Sequence, residues 1–324
     1  MANVWRAVRR RLLTPDVSDT QLDKRGFHAK NDDAKELLET VGRSFVKGFG
    51  HAAYAGRPAE VEQLLEAMPR DYRGFAYEGA AMGLTIMDAM SLGSGGRIKA
   101  FLAGRGGRHI YMAHIGIGWA MARLPRMFWR RVMPTDPLLH WLALEGYGFH
   151  QAYFRTDRYV HGQYQRKDFP WPLGHPHAYA DQAIDQGIGR ALWFVEGTDV
   201  GRIVDRIAAF PKHRHGDLFS GTGLAATYAG GVGEAELATF WDRAGDHRPV
   251  VAQACAFAAK ARVLAGLVTP HTHLASSVFC GMSPEEAAAV TDRALVDLPP
   301  DGERPSFEVW RQRIAEEFVS VGRY

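Results

Sequence analysis

The feature that most constrains this chain is a helical period closed by proline, and it occurs twice. Val61, Leu64, Leu65 and Met68 follow the i, i+3, i+4, i+7 spacing of one apolar helix face, and Val200, Ile203, Val204, Ile207 and Phe210 repeat that pattern. Pro69 and Pro211 end the two runs, because proline has no N–H to donate and its ring collides with the preceding turn. A polar turn and an aromatic residue then lead into Tyr77-Glu78-Gly79-Ala80-Ala81-Met82-Gly83 in the first case and Phe219-Ser220-Gly221-Thr222-Gly223-Leu224-Ala225 in the second. Met133-Pro134-Thr135-Asp136 and Glu145-Gly146-Tyr147-Gly148 indicate a weaker middle copy. The expected fold is mainly α, with pseudo-repeated helix-pair units packed into one globular domain. The expected layout is an N-terminal arm over residues 1–25 and a single helical domain over 26–324, with repeats at about 41–90, 115–160 and 186–230.

The C-terminal third continues in the same style. Ser283-Pro284-Glu285-Glu286 supplies an N-cap, a proline for the first helical position and acids for the first turn, and a further helix is expected near Ser306. Two short apolar runs, 109–115 and 192–195, read as candidate β segments. With 46% hydrophobic residues the chain can bury a full core, and a formal net charge of +3 gives no general pull toward nucleic acid or an anionic membrane. The longest apolar stretch, 251–269, is interrupted by Lys260 and Arg262, so no transmembrane helix is expected and a cytoplasmic location follows. Cys255 and Cys280 are too few for a disulfide framework, and Cys255 sits in an apolar run where a buried small side chain is expected. Residues 1–13 carry Arg6, Arg9, Arg10 and Arg11 around Val4, Trp5 and Leu12, which reads as a short amphipathic arm and not as a secretory signal.

Five G-x-G elements (Gly48/Gly50, Gly116/Gly118, Gly187/Gly189, Gly221/Gly223 and Gly231/Gly233) invite a dinucleotide-loop reading. None has the preceding strand, the following helix and the later acid that such a loop needs, so close helix packing and helix ends explain them better. Three H-x-H pairs, His175/His177, His213/His215 and His271/His273, would each place both rings on one side of an extended segment and so offer two nitrogens to a metal. His177, Asp181 and Asp185 also fall at i, i+4, i+8, so they could share one helical face and hold iron, manganese or zinc. The competing reading makes the histidines part of a loop entering a helix, with Asp181 as a first-turn acid.

Glu78 and Glu145 occupy equivalent places in the proposed repeat. Burial would raise their pKa values and suit them to general acid/base work, whereas pairing with an arginine such as Arg43 or Arg190 would make them structural. His150 and Tyr153 are the polar members of an aromatic-rich stretch and could reach a ligand pocket, with Arg190 neutralising one carboxylate. Glu78, Glu145, His150, Tyr153 and Arg190 are thus the candidate catalytic residues. A residue such as His150 also fits an apolar core once its ring nitrogens are satisfied.

The runs Gly146-Tyr147-Gly148-Phe149-His150-Gln151-Ala152-Tyr153-Phe154, Asp185-Gln186-Gly187-Ile188-Gly189-Arg190-Ala191-Leu192-Trp193-Phe194 and Asp217-Leu218-Phe219-Ser220-Gly221-Thr222-Gly223-Leu224-Ala225 resemble those of the UnbL-type proteins encoded beside enediyne polyketide synthases. The resemblance covers nearly the whole chain and implies a role in maturing a linear polyene toward an enediyne core, beside other proteins of that cassette. Two expectations follow from different classes. One is an enzyme or enzyme subunit acting on a polyene in an oxidative step, which would call for a cofactor such as iron or another metal, from this chain or from a partner. The other is a non-catalytic polyene-binding or assembly protein.

Overall fold

Prolines set the joints between helices. Pro69, Pro125 and Pro211 each precede a three-residue 3-10 turn and adopt nearly the same backbone angles, φ −51 and ψ 134, φ −55 and ψ 141, and φ −56 and ψ 137. Proline fixes φ near this value and cannot extend the preceding helix, so the chain turns at each of these points.

The computed structural model describes residues 2–91, 95–134, 136–173 and 177–324, without the side chains of 2, 3, 177 and 178. Among the described residues there are seventeen α-helices and no strand. The chain divides into two compact units, the first formed by Met1–Gly26 and Glu39–Tyr147, the second by Phe27–Leu38 and Gly148–Tyr324. The first holds α1 (Ala2–Leu13), α2 (Leu22–Arg25), most of α3 (Asp32–Ala55), α4 (Pro58–Glu66), α5 (Arg73–Met90), α6 (Arg97–Ala103), α7 (Ile110–Arg123), α8 (Trp129–Val132) and the first half of α9 (Trp141–Phe154). The second holds the start of α3, the end of α9, and α10 (His177–Val195), α11 (Val200–Ala208), α12 (His215–Ala229), α13 (Glu234–Ala244), α14 (Arg248–Ala265), α15 (Pro270–Cys280), α16 (Pro284–Arg293) and α17 (Ser306–Ser320).

Within the second unit α10, α12, α14 and α16 pack side by side in that order, and α11, α13 and α15 form a second row against them. Within the first, α5 packs on α7 and α4 on α6. The segments α3–α4–turn–α5 and α10–α11–turn–α12 share one order of elements, and α4 and α11 are each 9 residues long. The middle segment departs from that order, because its counterpart, α8, has only 4 residues. Start signals lie where the sequence places them: Ser283 Oγ accepts from the Glu286 amide at 3.2 Å to open α16, and α17 begins at Ser306. The two candidate β segments are helical instead, 109–115 running from a 3-10 turn into α7 and 192–195 lying within α10. Short apolar runs are ambiguous between buried strand and buried helix, and here packing on both sides chose helix.

Glycine is what brings these helices together. A methyl group at Gly48 would overlap the carbonyl oxygen of Ala76, and one at Gly79 that of Phe45, so α3 and α5 touch backbone to backbone. On α7, Gly116 meets the carbonyl of Glu78 on α5 and Gly118 meets that of Ala143 on α9. In the second unit Gly148 meets Ile184, Gly189 meets Leu218 and Gly221 meets Gln186, all at carbonyl oxygens, while Gly223 faces Val251 of α14. Two glycines spaced i, i+2 on a helix point about 200° apart. A G-x-G pair therefore lets one helix contact neighbours on both sides, which is what Gly116/Gly118 and Gly221/Gly223 do.

No helix among the described residues is long and apolar enough to cross a membrane. Alanine ordinarily stabilises a helix interior by roughly 0.5–1 kcal/mol over glycine. At backbone contacts overpacking reverses the sign, so Gly118→Ala and Gly221→Ala should each lower unfolding stability by about 1–3 kcal/mol. Gly216→Ala, on α12 where the nearest atom to an added methyl is 3.8 Å away, should not lower it. Urea unfolding of the three variants checks this, and tolerance of alanine at Gly118 and Gly221 would refute the packing account.

Candidate functional site

In the second unit four helices turn polar side chains into one buried cluster. Tyr179 and Gln186 sit seven residues apart on α10, and Asp217 and Ser220 three apart on α12, so each pair shares a helix face. Gln253 comes from α14, and Glu308 and Arg311 from α17. Arg311 is the hub. Its Nη1 donates to the Tyr179 hydroxyl at 3.1 Å and to Glu308 Oε2 at 3.2 Å, and its Nη2 donates to Ser220 Oγ at 2.8 Å. Ser220 Oγ in turn donates to Gln253 Oε1 at 3.3 Å, and Gln186 Nε2 donates to Asp217 Oδ1 at 2.8 Å. Arg311 Nη1 lies 3.8 Å from the same Asp217 oxygen.

Two polar atoms remain open within this cluster. Gln186 Oε1 and Gln253 Nε2 are buried with no hydrogen-bond partner in the protein. Burial pushes the Asp217 carboxyl up to about 7, against the opposing pull of Arg311 and the Gln186 hydrogen bond, while Glu308 and Asp185 add to the rise. Burial likewise raises the Tyr179 phenol well above its ordinary range. A carboxyl that titrates near neutrality beside a guanidinium is chemically fit to give or take a proton.

A second buried pair joins α10 to the 3-10 turn that precedes α12. Arg214 grips Asp185 with both ends of its fork, Nε to Oδ2 at 2.8 Å and Nη2 to Oδ1 at 2.5 Å, and its Nη1 donates to the Gln163 carbonyl at 2.7 Å. Gln165 Nε2 adds a contact to Asp185 Oδ2 at 3.1 Å. Burial raises the Asp185 pKa and Arg214 restrains it; burial also raises Asp181, one turn earlier on α10. This arrangement bears on the metal expectation. His175, and the side chain of His177, lie outside the described residues, and among the described residues no group of three or more His, Cys, Asp or Glu is placed to hold a metal. Asp185 is committed to a guanidinium, and a cation there would have to displace Arg214. The other H-x-H pairs are not extended: His213 and His215 span a 3-10 turn and the start of α12, and His271 and His273 lie on α15. His215 Nε2 bonds the Phe210 carbonyl at 2.7 Å and His271 Nε2 the Ala226 carbonyl at 2.8 Å, so one nitrogen of each ring is committed to the main chain.

The residues singled out from sequence are all buried, Glu78 and Glu145 at 3% exposed and His150, Tyr153 and Arg190 at 6%. Glu78 on α5 and Glu145 on α9 flank α7, whose Gly116 meets the Glu78 carbonyl and whose Gly118 meets that of Ala143, two residues from Glu145. His150, Tyr153 and Arg190 lie in the second unit, on α9 and α10. Arg43, one suggested partner, pairs with Glu39 at 3.5 Å. The His150 ring stacks toward Phe154 at 4.7 Å, and Tyr153 is ringed by Phe27 at 5.0 Å, Phe154 at 5.1 Å, Phe194 at 6.2 Å and Phe149 at 6.4 Å. Sequence reasoning missed the Arg311 cluster. Polar Gln186 and Ser220 inside apolar helices were a usable signal; Arg311, which meets Tyr179 132 residues away, gave none.

Because the folded pKa of Asp217 is raised from 3.8 to about 7, the native state holds a proton there that the unfolded chain releases. Its stabilising share is complete below the unfolded value and is lost as pH rises toward about 7. Asp217→Asn should remove that loss, so its stability relative to wild type should improve by roughly 2–4 kcal/mol between the two ends of this window, read from urea unfolding at several pH values. A constant difference across the window would show that Asp217 titrates normally.

No curated protein matches this sequence. No solved structure matches it either. A family model described as "Protein of unknown function (DUF1702)" covers residues 4–318, nearly the full length through both units, and the chain belongs to that family.

Proposed function

We propose that this protein is an accessory protein of enediyne polyketide biosynthesis that binds a linear conjugated polyene during maturation of the enediyne core. The reading rests on the resemblance to UnbL-type proteins, and the observation that carries it is the aromatic cluster at the end of α9. Tyr153 and Phe194 are buried, while Phe149 and Phe154 beside them are only half-buried, so the cluster has an aromatic edge that a ligand can extend. Phe149 lies 5.4 Å from Phe194, and His150 adds a polar group beside Phe154. A polyene is flat, apolar and polarisable, and offset or edge-on contact with such rings is its natural mode of burial. Other proteins of the biosynthetic cassette are the partners that would deliver and receive it.

An oxidative role belongs to the same proposal in a stronger form, in which the bound polyene loses electrons to a metal or organic cofactor held here or by a partner. Metal analysis and an absorption spectrum of the purified protein separate the two forms, since stoichiometric iron or a visible chromophore would favour oxidation over simple binding.

A conjugated tetraene or hexaene fatty acid should quench the intrinsic fluorescence saturably, and Phe149→Ala with Phe154→Ala should weaken that binding about tenfold or more. Glu145→Gln and His150→Ala should fold normally yet fail to restore enediyne production in a strain lacking the gene. Unchanged polyene affinity in the double phenylalanine variant would end the aromatic-edge reading, and full restoration by both other variants would make Glu145 and His150 structural.

A further inference from the structure

The amphipathic helix α1 has two faces that do different things. One is docked on the first unit: Arg9 Nε and Nη2 donate to the carbonyls of Ala53 and Tyr54 at 2.5 and 2.8 Å, capping the end of α3, and Arg6 Nη1 reaches Glu60 at 3.1 Å. Leu13 packs against the core of that unit. The other face points to solvent although it is apolar. Val4 is 68% exposed, Trp5 65%, Val8 40% and Leu12 75%, and at 3.6 residues per turn these four fall within about 100° of arc. The helix is held in place by its arginines and leaves its greasiest stripe uncovered.

Beside this stripe the same unit is basic. The twelve residues of α1 include four arginines and no acid. An open pocket of about 570 Å³ is lined by Gly56, Arg57, Arg97 and the glycines Gly95 and Gly96. Its wall at Gly56 is touched by the Arg9 guanidinium. Burial, and after it the nearby charges of Arg97 and Arg6, pull the Arg9 pKa below the ordinary guanidinium value. The side chain of Arg57 is 80% exposed and its nearest carboxylate, Glu60, is 3.8 Å away. Arg97 is paired with the buried Asp88 at 3.0 Å, so the cations this face offers to an anion are Arg57 at the pocket and the exposed Arg10 and Arg11 on α1.

From this geometry we propose that the face formed by α1 and the Arg57/Arg97 pocket docks on an anionic phospholipid surface, with Val4, Trp5, Val8 and Leu12 entering the headgroup layer and the pocket receiving lipid phosphates. An apolar stripe with an aromatic residue, flanked by arginines, is the composition that lies in the plane of a bilayer surface. A second copy of the chain is a poorer occupant, because two-fold pairing through α1 would set Arg11 and its neighbours against their own like charges. Helix α1 lies on the surface and does not span, in agreement with the lack of any membrane-crossing helix among the described residues.

Co-sedimentation of the full chain with vesicles tests this. The protein should sediment with phosphatidylglycerol vesicles, at least tenfold less with phosphatidylcholine vesicles, and less as salt is raised. Trp5→Glu with Leu12→Glu should abolish binding without changing the melting temperature, because both side chains are exposed; Arg57→Glu with Arg11→Glu should weaken it several-fold. Inorganic phosphate at matched ionic strength should not release the protein, since phosphate supplies charge without hydrocarbon. Release by phosphate would reduce the pocket to a free-anion site and overturn the docking surface. Absence of sedimentation with phosphatidylglycerol, or binding unaffected by the Trp5/Leu12 change, would also overturn it, as would light scattering that shows a dimer made monomeric by that same change.

Discussion

The structure depends on helix backbones touching one another, and glycine is the only residue that permits it. Gly48 against Ala76, Gly118 against Ala143 and Gly221 against Gln186 leave no room for a methyl group, so neighbouring helices approach to the limit set by their main chains. Close approach exposes many main-chain atoms to dispersion contact and compensates for the helix-forming tendency that glycine lacks. It also gives the meaning of two of the G-x-G pairs, Gly116/Gly118 and Gly221/Gly223. In a strand-to-helix loop that spacing cradles phosphate, but within a helix it turns bare backbone toward two neighbours at once.

How much of this was legible in the sequence follows from what each signal reports. Amphipathic helices such as α11 were plain, because Val200, Ile203, Val204 and Ile207 mark one buried face. Core helices were harder. Residues 109–115 and 192–195 are apolar all round and carry Ile, Tyr, Trp, Phe and Val, which suit strands in isolation; contacts from two sides made them helical, and that information is not local. Two of the three H-x-H pairs, His213/His215 and His271/His273, depart from expectation for a related reason. That expectation assumed extended backbone, whereas His271 and His273 sit on α15, where residues two apart diverge.

The candidate site shows the same division. Glu78, Glu145, His150, Tyr153 and Arg190 are all buried, which their small-residue and aromatic surroundings announced. The Arg311 cluster was out of reach because its bonds span 91 and 132 residues, and no window of sequence reports contacts at that range. Asp185 was noticed for its spacing from Asp181, yet its partner Arg214 lay hidden in a histidine-rich run that drew attention to His213 and His215 instead.

The two features, glycine contacts and buried ion pairs, act together. A shift of one turn between α10 and α12 would bring Asp217 or Ala225 to the place of Gly221 and press its Cβ on the Gln186 carbonyl, so the glycine contacts already resist slipping. Polar pairs reinforce that register. Asp185–Arg214 ties α10 to the turn that opens α12, the Gln186–Asp217–Arg311–Ser220 chain bridges α10 and α12, and a one-turn slip of about 5 Å would strand a carboxylate or a guanidinium in an apolar interior. Such pairs add little net stability, because desolvation offsets most of their attraction, but breaking one is expensive, and that asymmetry is what selects a single alignment. The raised pKa of Asp217 belongs to this arrangement: burial favours its protonated form, and Arg311 only partly restores the balance toward the charged one. A group held in that state by the demands of register is also one whose proton moves easily near neutral pH, so the interaction that aligns the helices leaves a reactive carboxyl between them.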